Sequence, residues 1–360
     1  MACMNSSRTG FILYCLTVLA LAVCAAEFWL MPRLLGLPRA ALLTGFVATP
    51  GTVVDGQVIN RLGFTGDEPA LQKPVNTLRV LLLGSSTLFN RHLGEQMKTA
   101  LQQRTDKNVE LLDAGIRSHT TRADVLKWQL LAAYEWDYVV FYDGINDLWA
   151  NHVLPEDFRS DYAHLDPWYR RTVWLDNSLL LRYSYNLASQ LIHALNRKTG
   201  EILFPDYQFV FPKKPFVNAA NFASMAAYRA NVDALLASIR NTNARPVLLT
   251  FAYHLPENYS RQAFMDNTLD YSNPDNYDKR DVFNWGPPEY VRNGLQQQNA
   301  IVRELALQHQ VQLIDVDAQM SHHGAWFGDV CHFNTAGVDV FVNAVAEALL
   351  PTVENASVQK

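Results

Sequence analysis

Charge and cysteine are both scarce in this sequence of 360 residues. Charged residues make up 18% of it against 49% hydrophobic, and the net charge is -5. No basic cluster is present, so the electrostatic footprint of a nucleic-acid-binding protein is missing and nucleic acid is not an expected partner. Of the four cysteines, Cys3, Cys15 and Cys24 fall in the first stretch and Cys331 alone lies in the body. The body therefore cannot close an internal disulfide, and it has no cysteine cluster to bind zinc. That suits a reducing or an oxidising compartment equally. Internal repeats and low-complexity runs are also absent. What remains is a globular balance, long enough for one large domain or two small ones.

Long apolar runs occur once, at the start. Residues 11–26 are apolar or small apart from Tyr14 and Thr17, with Arg8 the only charge before them. Glu27 interrupts the run, Phe28, Trp29, Leu30 and Met31 resume it, and Pro32 and Arg33 end it. Counted to Met31, the stretch is long enough to span a bilayer. Residues 1–32 are read first as an uncleaved anchor with Trp29 at the interface. A signal peptide cut near Cys24-Ala25-Ala26 is the competing reading. A lipoprotein signal ending at Cys24 is a third, weakened by the large Val23. Arg8 stands on one side of the span and Arg33 and Arg39 on the other, so charge does not set the orientation. A large following domain usually crosses regardless, which places the body outside the cytoplasm, periplasmic or extracellular.

Residues 33–77 read as a connector, with glycine, proline and aspartate at intervals and little periodicity. From residue 78 to about 351, strands and helices alternate, leaving a short tail at 352–360. Strands are expected at 79–83, 109–112, 138–142, 246–251 and 311–316. Helices are expected through Leu93, Met97 and Leu101, and at 122–133, 223–239, 289–307 and 335–350. That alternation implies βαβ units with right-handed crossovers, hence an α/β fold: a three-layer α/β/α sandwich on a central parallel five-stranded sheet of flavodoxin-like type. Residues 148–245 and 252–288 are too long for ordinary connections. The first holds Trp149, Trp168 and Trp174, and about 148–222 is read as a helical insertion beside the site.

The chemistry gathers at the carboxyl ends of the strands, where ligands bind in open α/β sheets. The apolar run Val80 to Leu83 ends abruptly in Gly84-Ser85-Ser86-Thr87. Alone, those hydroxyls read first as a helix N-cap and only second as a nucleophile at a helix start. The second strand ends in Asp113-Ala114-Gly115-Ile116-Arg117-Ser118, the third in Asp143-Gly144-Ile145-Asn146-Asp147, and the fifth leads to Asp329-Val330-Cys331-His332. Serine hydrolysis needs a nucleophile, a base within reach, and a carboxylate that sets the base's tautomer. Asp329 and His332, three residues apart, can face one way.

With these four motifs in that order, the chain resembles the SGNH, or GDSL, hydrolase family over residues 78–350. Gly84-Ser85-Ser86 resembles its Gly-Asp-Ser, Gly144-Ile145-Asn146-Asp147 its Gly-x-Asn-Asp, and Asp329-Val330-Cys331-His332 its Asp-x-x-His. The resemblance implies Ser86 as nucleophile, His332 as base and Asp329 as its orienting carboxylate. It also implies an oxyanion hole made by Asn146 and the backbone N–H groups of Ser86 and Ser118, without metal or organic cofactor. Two departures stand out. Ser85 replaces the usual aspartate, and in the segment resembling Asn-x-Gly-x-x-Gly, Asp113 replaces asparagine and Ser118 replaces the donating glycine. Ser118 can serve only if its backbone takes the glycine conformation; Gly115 is the fallback donor. Asn60 to Gly66 also resembles a segment upstream in membrane-anchored bacterial members.

The expected activity is a serine esterase that removes an O-acyl group, acetyl first, from a cell-surface carbohydrate. A lysophospholipase or other lipid esterase is the runner-up, since an anchored enzyme lies near lipid. A non-hydrolytic carbohydrate-binding or assembly protein on the same fold is the alternative from another class. The expected partners are thus an acylated carbohydrate or small ester, and a membrane through the N-terminal segment. Plainer roles stand beside these readings. Asn146-Asp147 can be a strand-end turn, Cys331 a small apolar residue rather than a nucleophile, and Trp149, Trp168 and Trp326 packing rather than sugar platforms. Asp143 reads as structural, and the adjacent His322 and His323 do not share a face as metal ligands would.

Overall fold

A computed structural model of the chain describes residues 3–30, 33, 47–48, 50–162, 164–165, 222–272 and 279–350. The chain divides into two units, one of residues 1–45 and 170–210, the other of residues 46–169 and 211–360. In the first, a helix Cys3–Ala25 continues into a π-helical turn Ala26–Leu30. Its window Leu13–Leu30 has a mean hydropathy of 2.0, apolar enough to cross a membrane; a signal sequence meets the same description. Of the 148–222 insertion, residues 166–221 lie outside the described residues, and with them Trp168 and Trp174.

The second unit holds the sheet. Strands β1 (Val53–Val54) and β2 (Gln57–Val58) form a small antiparallel hairpin. The main sheet comprises β3 (Thr65–Gly66), β4 (Thr77–Gly84), β5 (Asn108–Asp113), β6 (Tyr138–Tyr142), β7 (Arg245–Leu249) and β8 (Gln312–Ile314), in the spatial order β3-β5-β4-β6-β7-β8. All five expected strands are present, and β5, β4, β6, β7 and β8 run parallel. The sheet is nonetheless six-stranded and mixed, because β3 adds an antiparallel edge to β5, pairing Thr65 with Asp113. Two residues carry too little periodicity to signal a strand. The body thus begins within the stretch read as a connector. Leu62 and Phe64 enter its core, Gln57 Nε2 donates to the Phe89 carbonyl at 3.1 Å, and Asn60 Oδ1 caps the turn by accepting from Leu62 and Phe64 N–H.

Strand β4 explains the layering. All eight of its residues are buried, as a strand covered on both faces must be. Its side chains alternate between two cores. Val80 and Leu82 pack with Leu93, Met97 and Leu101 of helix Leu93–Gln102 and with Val338, Phe341 and Val345 of helix Thr335–Leu349. Leu81 and Leu83 pack with Val125 and Trp128 of helix Thr121–Leu131, with Val232, Leu235 and Leu236 of helix Ala223–Arg240, and with Val302 and Leu305 of helix Pro288–His309. This is the expected three-layer sandwich. One boundary differs: β8 stops at Ile314 because Asp315 caps a short helix, Val316–Met320, accepting from Ala318 N–H at 3.2 Å. Another difference lies after β4. A short helix Ser86–Phe89 precedes the longer one, and Arg91 and His92 turn between them in left-handed conformation, at φ 53° and 57°.

Gly84, the last residue of β4, sits opposite Tyr142, and a Cβ built on it would lie 2.2 Å from the Tyr142 carbonyl oxygen. Only glycine lets the two strands close here. Gly84→Ala must push β4 from β6, and overpacking of this kind costs about 1–3 kcal/mol. A lower thermal midpoint by circular dichroism is expected; an unchanged midpoint would show that the strands part freely.

Candidate active site

Ser86 opens the short helix at the end of β4, and its Oγ lies 3.0 Å from His332 Nε2. On the far side of the ring, Nδ1 lies 2.8 Å from Asp329 Oδ2 and 3.0 Å from Oδ1. Asp329 is fully buried. Its Oδ1 accepts the backbone N–H of Cys331 at 2.9 Å and of His332 at 2.8 Å, and its Oδ2 accepts that of Arg280 at 2.7 Å. Burial pushes its carboxyl upward, but the His332 imidazole and the Cys331 and His332 N–H groups outweigh burial and hold it below the ordinary range. A carboxylate that only accepts makes Nδ1 the protonated nitrogen, which leaves Nε2 free to accept from the Ser86 hydroxyl.

The neighbouring serine is different. Ser85 is wholly buried, and it is the Ser86 hydroxyl, not that of Ser85, that is hydrogen-bonded to His332. Cys331 is buried as well, and burial, reinforced by the Asp329 charge, raises its thiol far above the ordinary range. A protonated, enclosed thiol is a packing group, not a nucleophile. Donor atoms of Asp329, Cys331 and His332 lie within 4.8 Å of one another. With the thiol protonated and the carboxylate taken up by four N–H donors, this set does not suit a divalent cation.

Asn146 sits in a 3-10 helix, Ile145–Asn151, after β6. Its Nδ2 donates to the His119 carbonyl at 2.8 Å, and its Oδ1 accepts from Trp285 Nε1 at 2.9 Å. The next residue, Asp147, lies in the same strand-end turn, its N–H donating to the Gly144 carbonyl at 3.0 Å, but its carboxylate is used elsewhere. It reaches helix Thr121–Leu131, accepting from Thr121 N–H at 3.0 Å and Thr121 Oγ1 at 2.6 Å, and it also accepts from Tyr162 Oη at 2.7 Å. Asp143 is buried, and its Oδ1 accepts the Gly144 N–H at 2.8 Å, as a structural residue would. Burial, with Asp124 and Asp147 nearby, pushes its carboxyl well upward.

Ser118 meets the condition set for it. Its φ is +65°, in the left-handed region that glycine favours, at a cost of roughly 1–2 kcal/mol for a residue with a side chain. The Gly115 N–H is instead spent on Asp113 Oδ1, at 2.8 Å. Of the two backbone donors considered on this loop, only that of Ser118 lacks an acceptor among the described residues.

The two histidines after β8 are not brought to the site as ligands. His322 donates its backbone N–H to the Tyr253 carbonyl, and the His323 ring packs on Trp326 with centroids 4.4 Å apart. Trp149 is buried against Trp285 and offers no platform to a sugar. Reasoning from sequence misses Trp285, the Arg280 N–H and the His119 carbonyl, because backbone donors and a lone tryptophan in a long connection carry no local pattern. It also misses Lys127, buried with Asp124, whose Nζ donates to the Gly84 carbonyl at 2.6 Å and to Asp124 Oδ1 at 2.8 Å. That cation lies directly beneath the turn that carries Ser86.

The GDSL-like lipase/acylhydrolase family model matches residues 82–340 of this chain. The chain belongs to that family, a class of hydrolases acting on acyl esters. Similar solved structures include a lipase/acylhydrolase from Enterococcus faecalis at 12% identity, covering 76% of this chain and 95% of that one with a TM-score of 0.40. The acetylxylan esterase Axe2 from Geobacillus stearothermophilus is similar at 13% identity, covering 76% and 94% with a TM-score of 0.40. An α/β hydrolase, LAE5, from the metagenome of Lake Arreo, is similar at 18% identity, covering 75% and 94% with a TM-score of 0.41. No match was found among curated proteins.

Asp113 yields a pH prediction. Burial is the main cause that pushes its carboxyl up to about 6, and only the Gly115 N–H and the more distant Lys127 oppose it. The folded state therefore holds a proton that the unfolded state gives up near pH 4, and the stability this supplies is lost as pH rises through about 6. Asp113→Asn keeps the acceptor for Gly115 without the charge. Its thermal midpoint is expected to exceed that of the parent at pH 8 and to approach it at pH 4. Equal gains at both values would show that the Asp113 charge is not what burial penalises.

Proposed function

We propose that this chain is a serine esterase in which Ser86, His332 and Asp329 form the catalytic triad. The observation that carries the reading is the unbroken relay from Ser86 Oγ through His332 to the buried, ionised Asp329, at 3.0 and 2.8 Å. The Ser86 oxygen attacks the ester carbonyl while its proton passes to His332 Nε2. The imidazolium then returns that proton to the leaving alcohol as the ester C–O bond breaks, leaving an acyl group on Ser86. Water, deprotonated by His332, releases the acid and restores the hydroxyl. Asn146 Nδ2 and the N–H groups of Ser86 and Ser118 stabilise the oxyanion of each tetrahedral intermediate. No metal or organic cofactor takes part in these steps.

The substrate we favour is an O-acetyl or other short O-acyl ester on a carbohydrate outside the cytoplasm. Two features support this: the apolar N-terminal helix, read as an anchor, and the resemblance of Asn60 to Gly66 to membrane-anchored bacterial members.

Ser86→Ala should reduce p-nitrophenyl acetate hydrolysis by about three to six orders of magnitude and abolish labelling by a fluorophosphonate probe, while Ser85→Ala keeps most of both. A dead Ser85 variant beside an active Ser86 variant would put the nucleophile one residue earlier. Comparing acetylated glycans with p-nitrophenyl esters from acetate to palmitate tests the substrate class, and a preference for palmitate would move the reading to a lipid esterase.

The full chain should sediment with membranes, whereas a chain begun at Val47, which keeps the Ala48–Gly63 and Gly51–Ile59 backbone bonds, should be soluble and active. Release of the full-length product into the soluble periplasmic fraction would replace the anchor by a cleaved signal.

A further inference from the structure

The amide of Asn146 can be built two ways round, and only one aims N–H at an oxyanion. The orientation here is decided by its neighbours. The Trp285 indole has a donor and no acceptor, so the atom 2.9 Å from Nε1 must be the Asn146 oxygen. The His119 carbonyl has only an acceptor, so the atom 2.8 Å from it must be the Asn146 nitrogen. One N–H of Nδ2 is used on His119. The other has no acceptor among the described residues, which leaves it for the oxyanion.

Trp285 is itself held from several sides. It is buried, and its ring stacks on Trp149 with centroids 5.8 Å apart and planes 12° from parallel. Trp149 Nε1 donates to the Asn284 carbonyl at 2.7 Å, and His152 Nε2 donates to the Trp285 carbonyl at 2.8 Å. The 3-10 turn Val282–Asn284 that delivers Trp285 is capped by Asp281, whose Oδ1 accepts from Phe283 N–H at 3.1 Å. Tyr259 Oη and Arg261 Nε donate to the same carboxylate at 2.9 and 2.6 Å. The stretch that presents Trp285 to Asn146 also presents the Arg280 N–H to Asp329. One connection therefore reaches both the triad carboxylate and the oxyanion amide.

We propose that Trp285 is a positioning residue for the reaction: through its indole N–H it locks the Asn146 amide with an N–H toward the oxyanion. The inference rests on the assignment of Asn146 to the oxyanion hole. Removing the amide outright typically costs about a hundredfold to a thousandfold in rate. Removing the lock is milder, since His119 still favours the productive orientation while the buried Asn146 oxygen loses its donor.

The test is a double-mutant cycle on p-nitrophenyl acetate, with folding checked by circular dichroism. Trp285→Phe keeps an aromatic ring and deletes the donor. It should lower kcat about tenfold with KM within about twofold, and it should change kcat less than about twofold in the Asn146→Ala background. A ring that is merely structural would lower the rate by one factor in both backgrounds, and that result overturns the proposal. A folded Trp285→Phe variant with full kcat, beside an impaired Asn146→Ala, overturns it while leaving the oxyanion assignment intact. A fully active Asn146→Ala instead removes that assignment and this inference with it. Trp285→Leu backs up the phenylalanine variant; if neither folds, Trp285 is a core residue and the positioning role is overturned.

Discussion

An ionised carboxylate enclosed by the fold must find its partners within the chain, and Asp329 is such a group. Its two oxygens take four N–H donors, three of them from backbone. Those bonds dictate much around it. Accepting from Cys331 and His332 N–H closes the chain into a tight turn, which swings the His332 ring back over its own carboxylate. Accepting from Arg280 N–H draws in the end of a long connection. Without the carboxylate, the buried Cys331 and His332 amides would lose their acceptor, and each such loss costs about 1–3 kcal/mol. The relay to Ser86 is therefore a by-product of satisfying one buried charge, and the turn is as much folded by that charge as used by it.

The fold was legible wherever side-chain periodicity survives in the sequence. Strand β4, buried on both faces, shows as an unbroken apolar run, and helix Leu93–Gln102 shows as Leu93, Met97 and Leu101 at helical spacing. Strand β3 was not legible: two residues make too short a strand to alternate, and its edge pairing depends on β5, distant in sequence. The site divides the same way. Ser86, Asn146, Asp329 and His332 stand in motifs at strand ends, where residue types and order are informative. Trp285 belongs to no motif. Its partner lies 139 residues away in sequence, and only the folded chain brings the indole to the amide. The Ser118 departure could be posed from sequence as a question about backbone conformation but answered only by its φ of +65°.

Several features near the site run against stability. Ser118 holds a left-handed backbone without being glycine, and Arg91 and His92 do so consecutively just beyond the helix that Ser86 opens. Asp113 buries a carboxyl with a single close donor. Lys127 and Asp124 bury an ion pair, and breaking such a pair by removing one partner is strongly destabilising because a lone buried charge remains. Strain of this kind persists only where the surrounding structure over-determines it. Here the surroundings are β4 and its two apolar cores, which supply the rigidity that the site spends.

The placement of Lys127 sharpens that point. Its ammonium donates to the carbonyl of Gly84, the residue where β4 approaches β6 too closely for any side chain. The carbonyl is thus held from below by a buried cation at the point where the chain must leave the sheet and turn into helix Ser86–Phe89. Lys127 itself is anchored by Asp124 one helical turn away, on a helix that Asp147 ties to the Asn146 segment through Thr121. The turn that carries Ser86 and the turn that carries Asn146 are therefore fastened to the same helix. Movement of that helix would shift both turns together, so Ser86 and Asn146 keep their relation.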